Sequence, residues 1–196
     1  MPLGAFKAAL MGTAGVSKAD VVLLSSQTAS NSASLTITSG ITSTYTSYIL
    51  KFYYFYPATD YANLQINFST DGGSNYAANI VSTYFSSQHS DDGSSSSLAY
   101  DTSADLANSD NYLDLVGNTG NDGSKGASGE LHLFNPASTT YVKHFNSRFS
   151  SWRATDILQN SFAGGYCNTT SAINAISVKF ASGNITAGKL KMWGVK

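Results

Sequence analysis

The clearest signal along the chain is alternation with a period of two, the mark of β-strands, whose successive side chains point to opposite faces. Between Tyr45 and Tyr56, the residues Tyr48, Leu50, Phe52, Tyr54 and Tyr56 share one face, and Ile49, Lys51, Tyr53 and Phe55 share the other. Both faces are largely apolar, which predicts a central strand covered on both sides. Pro57 ends it, because proline cannot donate to a sheet ladder. Leu64, Ile66 and Phe68 alternate with Gln65, Asn67 and Ser69 as in a half-buried strand. The run from Ser69 to Asn75 then carries an Asp-Gly turn signal, and Tyr76–Phe85 is the expected returning partner.

The same pattern predicts strands at Val21–Ser26 and at Ala33–Ile41, the latter with Leu35, Ile37 and Ser39 on one face. Further strands are expected at Glu130–Phe134, with Leu131 and Leu133 inward, and at Tyr141–Trp152. In the latter, Tyr141, Lys143, Phe145 and Phe149 oppose Val142, His144, Asn146 and Arg148. Asn174–Phe180 alternates as well, and a Ser182-Gly183-Asn184 turn leads into Lys189–Val195. From Ser86 to Ser128 the alternation is lost, apart from a short strand around Leu113 and Leu115. A block of that length without structure is unusual in a compact domain and reads as an exposed or functional insertion.

Eight to ten strands at near-regular spacing predict an all-β fold, an antiparallel β-sandwich with jelly-roll topology. No repeat suggests a propeller or solenoid. The domain organisation that follows is an arm at residues 1–16 and a single sandwich domain at 17–196, with the polar insertion at 86–128. Leu3, Phe6 and Leu10 have helical spacing, but Gly4, Gly12 and Gly15 weaken a helix. An extended arm that anchors on a neighbouring subunit or a scaffold fits better. The segment lacks the Leu-rich core of a signal peptide, and no stretch approaches the roughly 18 apolar residues of a membrane span. No membrane insertion is expected.

Composition sharpens this reading. The chain holds 31 Ser, 18 Thr, 15 Asn and 17 Gly, together 81 of 196 residues, while charged residues make up 12 %. That charged share is about half the usual one and excludes coiled coils and helical bundles. Hydrophobic residues at 42 %, including 12 Tyr and 10 Phe, are enough for a core and argue against disorder. A net charge of −1 removes long-range attraction to nucleic acid. Seven of the 12 acidic residues lie between Asp91 and Asp122, and the C-terminal part from Lys143 is basic. The plainer meaning of that asymmetry is a solvated surface. Cys167 is the sole cysteine, so no intrachain disulfide forms, consistent with a reducing compartment.

Candidate chemistry is sparse. His89, His132 and His144 have no metal-ligand spacing. A glycosidase needs two carboxylates around a cleft, yet there is one glutamate, Glu130, and the aspartates fall mostly in turns. No nucleophile elbow or phosphate-binding loop occurs. No catalytic residue, metal ligand or cofactor is therefore expected, and the protein reads as a non-enzyme. A calcium ion near Asp91 and Asp92 is the one cofactor alternative, because acidic turns can wrap a hard cation, although EF-hand spacing is not met. Loop tyrosines, Tyr100 and Tyr112 among them, suit either subunit interfaces or sugar contacts.

Two segments resemble β-sandwich structural proteins of tailed bacteriophages, especially marine phages. The first runs from Tyr48-Ile49-Leu50-Lys51-Phe52 through Pro57-Ala58-Thr59-Asp60 to Leu64–Phe68 and Ser69-Thr70-Asp71-Gly72-Gly73-Ser74-Asn75-Tyr76. The second is the terminus, Ala172-Ile173-Asn174, then Gly183-Asn184-Ile185 and Gly188–Lys196. The resemblance covers about a third of the chain and rests on turns that define a fold. It implies a virion component, either a capsid decoration or head fibre, or a tail-fibre or tail protein. Such a protein would be assembled in the host cytoplasm as a homo-oligomer, a trimer, in contact with other virion proteins. The alternative is a carbohydrate-binding module that recognises host-surface glycans.

Overall fold

The computed structural model describes residues 20–196, which form thirteen strands and no helix. In chain order these are β1 (Val21–Ser32), β2 (Leu35–Ile37), β3 (Ser47–Pro57), β4 (Ala62–Ser69), β5 (Ile80–Ser90), β6 (Ser96–Tyr100), β7 (Ala107–Ser109), β8 (Leu113–Thr119), β9 (Ala127–Phe134), β10 (Lys143–Trp152), β11 (Ile157–Cys167), β12 (Ala175–Phe180) and β13 (Ile185–Val195). The arm expected at 1–16, with Leu3, Phe6 and Leu10, lies outside the described residues.

Every pairing is antiparallel. A nine-stranded sheet runs β1-β13-β3-β9-β10-β11-β5-β6, with β7 also on β5, and a four-stranded sheet runs β2-β12-β4-β8. The two sheets pack face to face as the expected β-sandwich. There are thirteen strands rather than eight to ten, and the nine-and-four split differs from the balanced eight strands of a jelly roll.

The core lies between the sheets. The large sheet contributes Tyr48, Leu50, Phe52 and Phe55 from β3 and Phe145 and Phe149 from β10, all essentially inaccessible. The small sheet answers with Leu64, Ile66 and Phe68 from β4 and Ile176, Val178 and Phe180 from β12. Phe68 meets Phe145 across the gap at 6.1 Å between ring centres. Burying one such side chain contributes about 1.5–3 kcal/mol, which makes this stripe the main source of stability.

Several expectations are corrected. In β3 the inward face holds through Tyr48, Leu50 and Phe52 and then switches, so that Tyr54 is exposed and Phe55 buried. A register shift against β9 between Phe52 and Phe55, with Tyr54 at φ 55°, inserts the extra residue that changes the parity. The outer face of β3 is uncovered, with Tyr53 exposed. β4 and β5 do not form a hairpin. Both edges of β4 are taken by β12 and β8, so the chain after the Asp-Gly turn crosses to the other sheet and pairs with β11. β11 carries no alternation signal in the sequence, because Ile157–Cys167 mixes polar residues with Gly164 and Gly165. The stretch 86–128 is also more regular than expected, holding the end of β5, all of β6, β7 and β8, and the start of β9.

Candidate functional site

The segment 101–112 leads from β6, at the edge of the large sheet, to β8, the edge strand of the small sheet. It is tied to the large sheet where Leu106 N donates to Ser82 Oγ (3.0 Å) and Ser82 N to the Leu106 carbonyl (2.9 Å). It is tied to the small sheet where Asn67 Nδ2 donates to the Asp110 carbonyl (2.8 Å). This clamp leaves two adjoining polar clefts around β8, of about 230 and 460 Å³, which share Ser103, Ala104 and Asp114.

Asp114 stands between Leu113 and Leu115, both buried inward, so the strand's alternation turns its carboxylate outward into the clefts. Its two oxygens accept from Asn63 Nδ2 (2.8 Å) and Gln65 Nε2 (2.7 Å), side chains of the adjacent β4. Burial raises the Asp114 pKa above the ordinary carboxylate value, against the lowering effect of those two amides. Asp101, on the same cleft, is held by the Ser103 backbone N–H (2.9 Å) and hydroxyl (2.7 Å).

Across the cleft, the large sheet presents Gln159 and Arg153. Gln159 is only 4 % exposed on the inward side of β11, and its Nε2 donates to Tyr84 Oη at 3.2 Å. Its Oε1 is buried without a partner. Arg153 follows β10, and its Nη1 donates to Gln88 Oε1 at 2.7 Å, while its Nε is buried and unmatched. Thr119 Oγ1, Ser151 Oγ and Trp152 Nε1 are buried and unmatched as well, on residues outside both clefts, each such atom costing about 1–3 kcal/mol.

Of the residues anticipated from sequence, Tyr112 lines the larger cleft, and Lys179 Nζ lies 4.2 Å from its ring centre. Tyr100 is elsewhere. It ends the exposed edge strand β6 and donates from Oη to Asp105 Oδ2 at 2.5 Å. The two tyrosines do not share a site. Asp91 and Asp92 form a tight turn in which Asp92 Oδ1 accepts from Ser94 N (2.9 Å), and hydrogen bonds from the Ser94 hydroxyl first, then from its backbone N–H and from Ser90, bring the Asp92 pKa down to about 2. Among the described residues no three His, Cys, Asp or Glu side chains converge as a metal site requires. Cys167 is free and buried, and desolvation pushes its thiol up to about 12, away from nucleophilic use.

The sequence alone does not single out Asn63, Asp101, Asp114, Arg153 or Gln159. Asp114 carried a readable signal, a carboxylate between two strand leucines. Gln159 did not, since its strand was not legible. No family model matches the chain, and no curated protein or solved structure matches it.

Proposed function

We propose that the protein is a non-enzymatic structural subunit of a tailed-phage virion, a capsid decoration or head fibre, or a tail-fibre or tail component. It assembles with copies of itself through the outer face of its nine-stranded sheet. The observation that carries this reading is a continuous row of side chains across that face. The register aligns Lys191 with Lys51, Lys51 with Glu130, Glu130 with Arg148, Arg148 with Phe162, Phe162 with Phe85, and Phe85 with Tyr100. Lys51 and Glu130 pair at 3.6 Å, the Arg148 guanidinium lies 5.5 Å from the Phe162 ring centre, and Phe162 stacks on Phe85 at 4.9 Å. Phe85 and Tyr100 are 42 % and 52 % exposed, an aromatic patch that a lone subunit leaves in water. The exposed aromatics and Arg148 are residue types enriched at subunit interfaces. The resemblance of the strand, turn and terminal motifs to phage sandwich proteins supports the same conclusion.

Light scattering on the purified protein tests it. The expected mass is that of a trimer, and the double variant Phe85→Lys, Phe162→Lys is expected to run as a folded monomer with unchanged far-UV circular dichroism. A wild-type monomer at all concentrations would overturn the assembly reading.

A further inference from the structure

We propose that the nine-stranded sheet joins edge to edge with that of a second copy, β1 of one subunit pairing with β6 of the next. The joint rests on the self-assembly proposed above and gives it a second contact, between strand edges.

Both strands are open. Among the described residues, β1 and β6 each have a sheet partner on one side alone. All five residues of β6 are exposed, Leu98 at 74 %, and Ser94–Tyr100 contains no charge and no proline. Such residues normally blunt a sheet edge, whose unpaired N–H and C=O groups template another chain. The ladders show which groups are unpaired. Asp101 N donates to the Tyr84 carbonyl and Ser90 N to the Ser95 carbonyl, so the odd-numbered residues of β6 face β5. Ser96, Leu98 and Tyr100 therefore turn their backbone groups outward. In β1, Lys196 N donates to the Asp20 carbonyl, so Val22 faces β13 while Val21 and Leu23 turn outward.

The two edges match in parity and direction. The side chains of Val21 and Leu23, 52 % and 48 % exposed, lie on the same outer sheet face as those of Leu98 and Tyr100. Residues directly opposite in an antiparallel pair share a face, as this joint requires. The path from β1 to β6 holds eight strands, all antiparallel to their neighbours, so its two end strands run in opposite directions. A copy set alongside without being turned over continues the ladder. The register that pairs apolar with apolar places Val21 opposite the partner's Tyr100 and Leu23 opposite the partner's Leu98.

Charge decides between this head-to-tail joint and a pairing of β6 with β6. Asp91 and Asp92 precede β6, Asp101 and Asp105 follow it, and no Lys or Arg lies between Asp91 and Asp105. Two β6 strands related by a two-fold axis would set these acids against each other. The β1 border is basic: Lys189 and Lys191 stand opposite Thr28 and Ser26, and Lys196 opposite Asp20. In the register above, Lys189 and Lys191 lie towards the partner's Asp91 and the partner's Asp92, and Lys196 towards the partner's Asp101. A head-to-tail joint passes from copy to copy, and closure after three gives the trimer expected above.

Disulfide trapping tests the joint in the full chain. The double variant Leu23→Cys, Leu98→Cys, once oxidised, is expected to give about tenfold more covalent oligomer on a non-reducing gel than either single variant. Both positions are exposed and native Cys167 is wholly buried, and circular dichroism of each variant confirms the fold. Covalent dimers from Leu98→Cys alone would overturn the joint in favour of a two-fold pairing. No covalent oligomer from the double variant, with the trimeric mass retained, would overturn the joint and leave the assembly reading standing. A monomeric mass for the wild type would overturn both.

Discussion

At the scale of single residues, close approach between strands sets the tolerances. Gly165 in β11 faces Ser82 of β5, and a Cβ built there would lie 2.1 Å from the Val81 carbonyl oxygen and 2.8 Å from Ser82 Cα. Both obstacles are backbone and cannot swing aside. At its neighbour Gly164 the nearest atom to such a Cβ is 4.0 Å away. Gly165→Ala is therefore expected to cost about 1–3 kcal/mol in chemical denaturation. Gly164→Ala is expected to stay within about 1 kcal/mol of wild type or to gain slightly from a stiffer unfolded chain. Equal effects at the two positions would contradict the packing described for β11 and β5. One strand step further, Lys143 of β10 is directly opposite Cys167 and is wholly buried. Its ammonium donates to the Thr169 carbonyl at 3.1 Å, and burial lowers its pKa. Sequence alternation placed Lys143 on the inward face beside Phe145, though nothing in the pattern marked a charge that would be enclosed.

At the scale of elements, the turn between β4 and β5 decides how the chain moves from one sheet to the other. Asp71 organises it: Ser69 Oγ donates to Asp71 Oδ1 (2.6 Å), Asn75 N donates to the same oxygen (2.9 Å), and Asn75 Nδ2 donates to Oδ2 (2.8 Å). Gly72 N is fixed from outside by Asn174 Oδ1 at 2.8 Å. These bonds, led by the Ser69 hydroxyl, lower the Asp71 pKa from 3.8 to about 2. A carboxylate with a lowered folded pKa adds stability above its unfolded value, and that stability is lost as pH falls through the folded one. Asp71→Ala is expected to melt a few degrees below wild type at neutral pH, with the two curves converging as pH drops from 3.8 towards about 2. A constant difference down to pH 2 would show that the charge is not what holds the turn. The turn was legible in its Asp-Gly-Gly spelling, but its destination was not. Pairing partners depend on which edges of β4 are already occupied, and β12 and β8 lie far along the chain. The strands that are legible, such as β4, β9 and β10, bury large apolar side chains on one parity, as β3 does up to Phe52. β11 buries Gln159, Ser161 and Ala163 instead, so its inward face looks polar in the sequence. The cleft inherited that blindness, since Gln159 and Arg153 come from β11 and the turn before it.

At the scale of the whole molecule, the asymmetry of the sandwich separates two surfaces. The nine-stranded sheet offers a broad outer face crossed by one aromatic and charged row, while the small sheet ends at β8 in a polar pair of clefts. Low overall charge suits the first, because contacts between copies then carry little mutual repulsion. The abundance of Ser, Asn and Gly suits turns and outer strand positions, where hydroxyls and amides stay wet. On the proposed virion role, one face meets the neighbours and the cleft edge stays free. The most direct measurement is density-gradient sedimentation of phage particles produced with a tagged copy of the chain. The account predicts that the tag bands with intact particles in fixed stoichiometry and resists high-salt washing. Recovery of the tag only at the top of the gradient, as soluble monomer, would contradict it.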